Sequence, residues 1–134
     1  MGTGPDDGAP WALGVEVNGF LGVTVDVIAP LSAGTRLVSH YANAGAGRFY
    51  WLHDGEERLT FEPLLAEYRD GTEAEAIVQA MREAGFDLAE DSDNTDHPIA
   101  SAFALAEYLT GVHVTRAFLQ SARYELGQAR YPGV

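Results

Sequence analysis

Between Thr35 and Glu62 the chain alternates apolar and polar positions three times over. Leu37, Ser39 and Tyr41 share one side of the first run, Phe49 and Trp51 one side of the second with Tyr50 on the other, and Leu59 and Phe61 point inward from the third. A period of two is the signature of strands that each present one face to a core. The dipeptide Asp54-Gly55 between the second and third runs is a strong hairpin signal, and Pro63 ends the third. Upstream, Trp11, Leu13, Val15 and Val17 also alternate, which predicts a half-buried strand followed by the turn dipeptide Asn18-Gly19. The stretch Thr24 to Ser32 reads two ways. Val23, Val25 and Val27 suit a strand, whereas Thr24 as an N-cap with Asp26 in the first turn suits a short helix that Pro30 ends or kinks, with Gly34 as a stop. Three or four antiparallel strands are expected in the first half.

The period then changes. Thr72-Glu73-Ala74-Glu75 matches a capping box, Ala74, Ile77, Val78 and Met81 form a helical stripe, and Gly85 stands at the C′ position. Asp96-His97-Pro98 reads as a second helix start with Asp96 as N-cap, an apolar face of Ile99, Ala102, Phe103, Ala106 and Leu109, and Gly111 as its end. Thr115 can cap a last helix with Phe118, Leu119, Ala122 and Leu126 facing in. Strands followed by helices predict an α+β fold, an antiparallel sheet of three to four strands covered on one face by about three helices from the second half. The expected organisation is a flexible lead-in over 1–10, one globular domain over 11–126 and a tail over 127–134.

Composition narrows the class. At 134 residues and 46% hydrophobic, the chain fits one domain of ordinary size. It has no cysteine, which excludes disulfides, thiolate metal sites and a cysteine nucleophile. No apolar run approaches the roughly 20 residues of a membrane span, and Met1 to Pro10 lacks the basic and apolar regions of a signal peptide. A cytoplasmic location is therefore expected. All eight basic residues are arginine, which reads as coding bias.

Charge is the strongest asymmetry. Asp54 to Asp96 holds fourteen acids against Arg58, Arg69 and Arg82, a net of −11, while residues 1–53 net −2 and 97–134 net +1, for a total of −12. Such a band repels nucleic acid and anionic membrane and attracts basic proteins or cations.

Candidate chemistry is sparse. The loop Asp87–Asp96 offers Asp91, Asp93 and Thr95 at alternating positions, as calcium would want, but an EF-hand needs Gly at its sixth position and Glu at its twelfth, and here these are Asp96 and Ala102. His40, His53, His97 and His113 show no helical ligand spacing, so neither a metal site nor a cofactor is expected. Ser39 and His40 are strand neighbours on opposite faces and cannot form a nucleophile–base pair, and no G-x-S-x-G elbow exists. Asn43–Gly47 lacks the Lys-Ser/Thr of a phosphate loop. Arg48 at its end could meet an anion. Phe49-Tyr50-Trp51 has the aromatics of a single-strand nucleic-acid platform without the basic groove, and if both sheet faces carry aromatics one is free to serve a partner.

Several runs together resemble one family. Trp11 to Gly22 is similar to the opening W-x-L-x-x-E-x-N-G-aromatic-x-G of an uncharacterised actinomycete domain-of-unknown-function family, number 6461. Leu31–Thr35 with Val38-Ser39, then Phe49–Trp51 with Asp54-Gly55, and the helix end Ala104–Val112 resemble its later motifs in order. Members often carry a segment before the Trp strand that this chain is expected to lack. The resemblance implies the element order and no catalytic residue.

The leading expectation is a non-enzymatic acidic binding module for a basic protein partner, with an immunity- or antitoxin-like protein as one subtype. Asp54, Glu56 and Glu57 at the hairpin tip, Glu90, Asp91 and Asp93 in the acidic loop, and Arg48 and Trp51 on the sheet are its candidate binding residues. One alternative is a small-ligand or hydrolytic domain with a pocket between sheet and helices that uses His40, His53 or Arg48. Another is a structural subunit that assembles through a bare sheet edge. The binding-face reading requires hairpin tip and acidic loop to lie on one side of the fold. On opposite ends, those acids speak only for solubility.

Overall fold

A computed structural model describes residues 10–16, 20–43, 46–90, 94 and 96–127. Its centre is a four-stranded antiparallel sheet in the order β1-β2-β3-β4, formed by Arg36–Asn43, Ala46–His53, Glu56–Phe61 and the two-residue Arg69–Asp70. The first three are the strands that the period of two predicts. Asp54 (φ 48) and Gly55 (φ 79) both take the left-handed conformation that a two-residue hairpin demands. Asp54 also accepts a hydrogen bond at Oδ1 from the Gly34 amide at 2.7 Å, and the Gly55 amide donates to Ser32 Oγ at 2.8 Å, so the tip is pinned from behind.

Register decides which side chains share a face. His40 stands opposite Phe49, Val38 opposite Trp51 and Arg36 opposite His53, while Trp51 stands opposite Leu59 and Phe49 opposite Phe61. A bulge at Trp51/Leu52 lets Arg58 sit out of register. Phe49, Trp51, Leu59 and Phe61 thus face a core closed by Ile77, Met81, Phe86, Leu105 and Leu109. These come from α2 (Val78–Ala84), α3 (Pro98–Thr110) and their flanks. The opposite face carries Tyr50 and Leu52, buried under Ile28 of α1 (Val25–Leu31). Both faces of β2 are therefore covered, which is why its run of Phe49 to Leu52 is buried at every position.

Of the two readings of 24–32, the helix is observed. Thr24 holds the N-cap position in an extended conformation, Pro30 lies in the last turn, and the helix ends at Leu31. The Trp11–Val17 strand is not observed. Residues 11–16 have no regular structure, Leu13 and Val15 are 47% and 54% exposed, and Val17 lies outside the described residues. Alternation assigns faces but supplies no hydrogen-bonding neighbour, and Trp11 packs instead under the Arg36 guanidinium, 4.5 Å from its ring centroid.

The capping box at Thr72 is also not observed. The Thr72 hydroxyl donates to Glu56 Oε1 at 2.9 Å, residues 72–77 form turns, and α2 begins at Val78 after Ile77. The competing interaction is Arg69, whose Nε donates to the Ala74 carbonyl at 3.0 Å and whose other end pairs with Glu75 at 3.5 Å, holding the segment as a clamp. Gly85 and Gly111 end α2 and α3 in the left-handed conformation, as expected. The N-cap of α3 is His97 and not Asp96, because Pro98 takes the first helical position. Thr115 caps α4 (Arg116–Ser121) by accepting from the Phe118 amide at 3.0 Å. No α4 residue is buried, so Phe118 and Leu126 do not face in.

Gly71 (φ 124) carries β4 back to the tip of β3, and a Cβ there would lie 2.3 Å from the Arg58 carbonyl oxygen. Gly71→Ala is expected to destabilise the protein by about 2 kcal/mol or more. Urea unfolding measures it, and an unchanged midpoint would contradict this account of the turn.

Candidate functional site

The sheet has two ends. At the tip end, Glu56 accepts from Thr72 and pairs with Arg58 (3.5 Å), which also reaches Glu73 (3.9 Å). Arg58 lies over the Trp51 ring at 5.9 Å. At the other end, Glu62 accepts from the Leu64 and Leu65 amides (2.5 and 3.1 Å) and caps a 3-10 turn over Pro63–Leu65.

The acidic loop joins this second end. The Asn94 amide donates to the Leu64 carbonyl at 3.0 Å. The Asn94 side chain accepts from the Asp87 amide at 2.6 Å and donates to the Asp87 carbonyl at 3.0 Å, closing the loop on itself. Phe86 meets Phe61 edge-on at 5.1 Å, at the end of β3 that the hairpin tip does not share. Six residues of strand at about 3.3 Å each separate the two ends.

Asp54, Glu56 and Glu57 are thus at one end and Asp87 and Glu90 at the other, so among the described residues the acids of hairpin tip and loop do not share one face. Asp54 and Glu56 are committed to Gly34, Thr72 and Arg58. Asp91 and Asp93, with Thr95 of the calcium reading, lie outside the described residues. Among the described residues no three His, Cys, Asp or Glu side chains gather as metal ligands. Trp51 is buried in the core, so it presents no surface, and Arg48 lies on the α1 side, donating to Thr60 Oγ1 at 3.0 Å beside Tyr50.

The histidines are dispersed. His53 ends β2 at the hairpin tip, His97 is exposed at the start of α3, and His113 pairs with Glu107. His40 lines a cavity. Its ring lies parallel to Phe49 (6.0 Å) and edge-on to Phe103 (4.6 Å), and it lines a partly enclosed space of about 120 Å³ with Glu62, Pro63, Leu64, Ile99 and Ala102. Neither ring nitrogen has a hydrogen-bond partner among the described residues. Burial lowers the His40 pKa from its ordinary 6.5, which keeps the ring neutral at neutral pH. Arg48 lies on the other face and His53 at the other end, so the three residues of the pocket reading do not meet; Glu62 is the carboxylate side chain that shares the cavity with His40.

Sequence reasoning missed the surface beside this cavity. The periodicity of α3 placed Ile99 and Phe103 inward, but the buried face is Ser101, Ala102, Leu105 and Leu109, and Ile99 and Phe103 are 55% and 36% exposed. Ser101 instead packs close against Gly85 at the end of α2, where a Cβ would stand 2.7 Å from Ser101 Oγ. Phe103 also borders a second hollow of about 320 Å³ with Val114, Arg116 and Leu119.

The geometry defines an α+β domain with a small apolar cavity at one sheet end and no catalytic constellation among the described residues. Residues 2–132 match the family described as "Family of unknown function (DUF6461)", and the chain belongs to it. No curated protein and no solved structure matches it. Among the described residues, no helix is long and apolar enough to cross a membrane.

Asn94→Ala is expected to cost about 1–3 kcal/mol and to speed amide exchange at Asp87, since it removes the closure of the loop. Exchange unchanged at Asp87 would contradict that role. His40 supplies a pH signature. The unfolded chain takes up the proton first, so its contribution is complete above pH 6.5 and is lost as pH falls through 6.5 toward the lower folded value. From pH 7.5 to 5.5 the wild type is expected to lose more stability than His40→Phe, and parallel urea midpoints would contradict this.

Proposed function

We propose that this protein is a non-enzymatic binding module that engages a basic protein partner, with an immunity-like inhibitor of a basic toxin as one form. The observation that carries the reading is the end of the molecule where α3 begins. There the exposed Ile99 and Glu62 line the same cavity, with Asp96 at the helix start and Glu90 in the adjoining loop. Apolar surface supplies contact free energy, and surrounding acids on a chain of net charge −12 speed capture of a cationic partner. The hairpin-tip acids take no part in this reading and serve the fold and solubility.

The test is capture from native lysate on the immobilised protein at about 50 mM and about 500 mM salt, where the Debye length falls from about 14 to about 4 Å. A basic partner is expected to be retained at low salt and weakened at high salt. Retention of no partner at either salt would overturn the proposal.

A further inference from the structure

We infer that a basic, amphipathic protein segment docks on the α3 end of the molecule, laying apolar side chains over Ile99 and Phe103 and seating one of them in the cavity beside His40. This deepens the binding-module reading and rests on it.

The cavity sets the size of the anchor. At about 120 Å³ it is well below the roughly 300 Å³ at which pockets for whole small molecules begin, and close to the roughly 150 Å³ that takes one benzene ring. One branched aliphatic or single-ring side chain fills it. Its walls are Pro63, Leu64, Ile99 and Ala102, with the His40 ring and Glu62 as the polar groups that fix orientation. A buried anchor surrounded by lesser contacts is the usual energetic plan of an interface.

The surface extends beyond the cavity. Ile99 and Phe103 are one helical turn apart on α3, and Leu65 is exposed next to Leu64 of the cavity wall. Phe103 continues to the second hollow with Leu119. A partner that only matched charge would have no use for this stripe.

Charge selects the occupant. Asp96 and Glu90 stand at the cavity end of the stripe, beside Glu62, whose carboxylate also caps the Leu64 and Leu65 amides, whereas the second hollow carries Arg116. The partner's cationic groups therefore belong at the cavity end. A second copy would bring its own net −12 to the same contact, and an anionic bilayer would be repelled in the same way.

The probe is a synthetic peptide of about 18 residues in which Leu and Phe recur at helical spacing with Arg on the flanks, set against a scrambled isomer of the same charge. Titration into the full chain is followed by amide shifts and by light scattering. The patterned peptide is expected to bind at least tenfold more tightly than the isomer and to shift amides around Ile99, Phe103 and Ala42. Ile99→Asp, an exposed change, is expected to weaken it about tenfold or more, and so is Ala42→Leu, which fills the cavity from its exposed wall. Glu57→Gln at the hairpin tip is expected to leave binding within twofold. Equal binding of both peptides, indifference to both Ile99→Asp and Ala42→Leu, or a dimer that buries Phe103 would overturn this inference. The two failures are separable: a basic partner captured from lysate and retained by Ile99→Asp leaves the module reading standing, whereas no basic partner and no peptide binding removes both.

Discussion

The end of the molecule that matters here is organised by a row of rings crossing the sheet at right angles to its strands. Phe86 meets Phe61 edge-on, Phe61 stacks on Phe49 at 5.2 Å, Phe49 lies parallel to His40, and His40 takes Phe103 edge-on. The row begins just beyond α2, passes through β3, β2 and β1, and ends on α3. Each aromatic pair contributes about 0.5–1.5 kcal/mol beyond its buried area. More important is that rings stack in few arrangements, so the row fixes where α3 begins relative to the sheet. Without it, the His40 ring, which walls the space where β1 meets the start of α3, would lose the two aromatic rings packed against it.

That constraint explains the division of labour between the two ends. The hairpin-tip end is tied down by polar contacts of Asp54, Glu56, Arg58 and Thr72, which engage two of its acids, Asp54 and Glu56. The ring-row end is tied down by apolar stacking and by the Asn94 closure, which leaves a hollow where β1, the 3-10 turn and α3 meet. His40 stays neutral there because burial strips water from its ring, so it forms an uncharged wall of the cavity at neutral pH.

Much of the fold was legible. Strand faces from Thr35 to Phe61, the Asp54-Gly55 hairpin, the glycine ends of α2 and α3 and the Thr115 cap follow from period and local chemistry, because each is settled by residues within a few positions of one another. The misread elements share a cause. Thr72 prefers Glu56, sixteen residues away, to its own helix, and Trp11 prefers the Arg36 guanidinium to a strand. A local signal is a weak bias, and one good distant contact reverses it.

The candidate site was the least legible part. Acids can be counted along the chain, but only the fold shows that Asp54 and Glu90 stand at opposite ends, since strand length separates neighbours in sequence. Periodicity marks Ile99 and Phe103 as apolar yet is blind to the close approach of Ser101 to Gly85, which puts Ser101 on the buried face. The sequence by itself determined the class of fold, the sheet faces, the charge and the family. Tertiary structure alone decided which acids are spent internally, which apolar residues stay in water and where His40 meets a cavity. Those outcomes depend on which distant surfaces touch, and adjacency along the chain does not encode that.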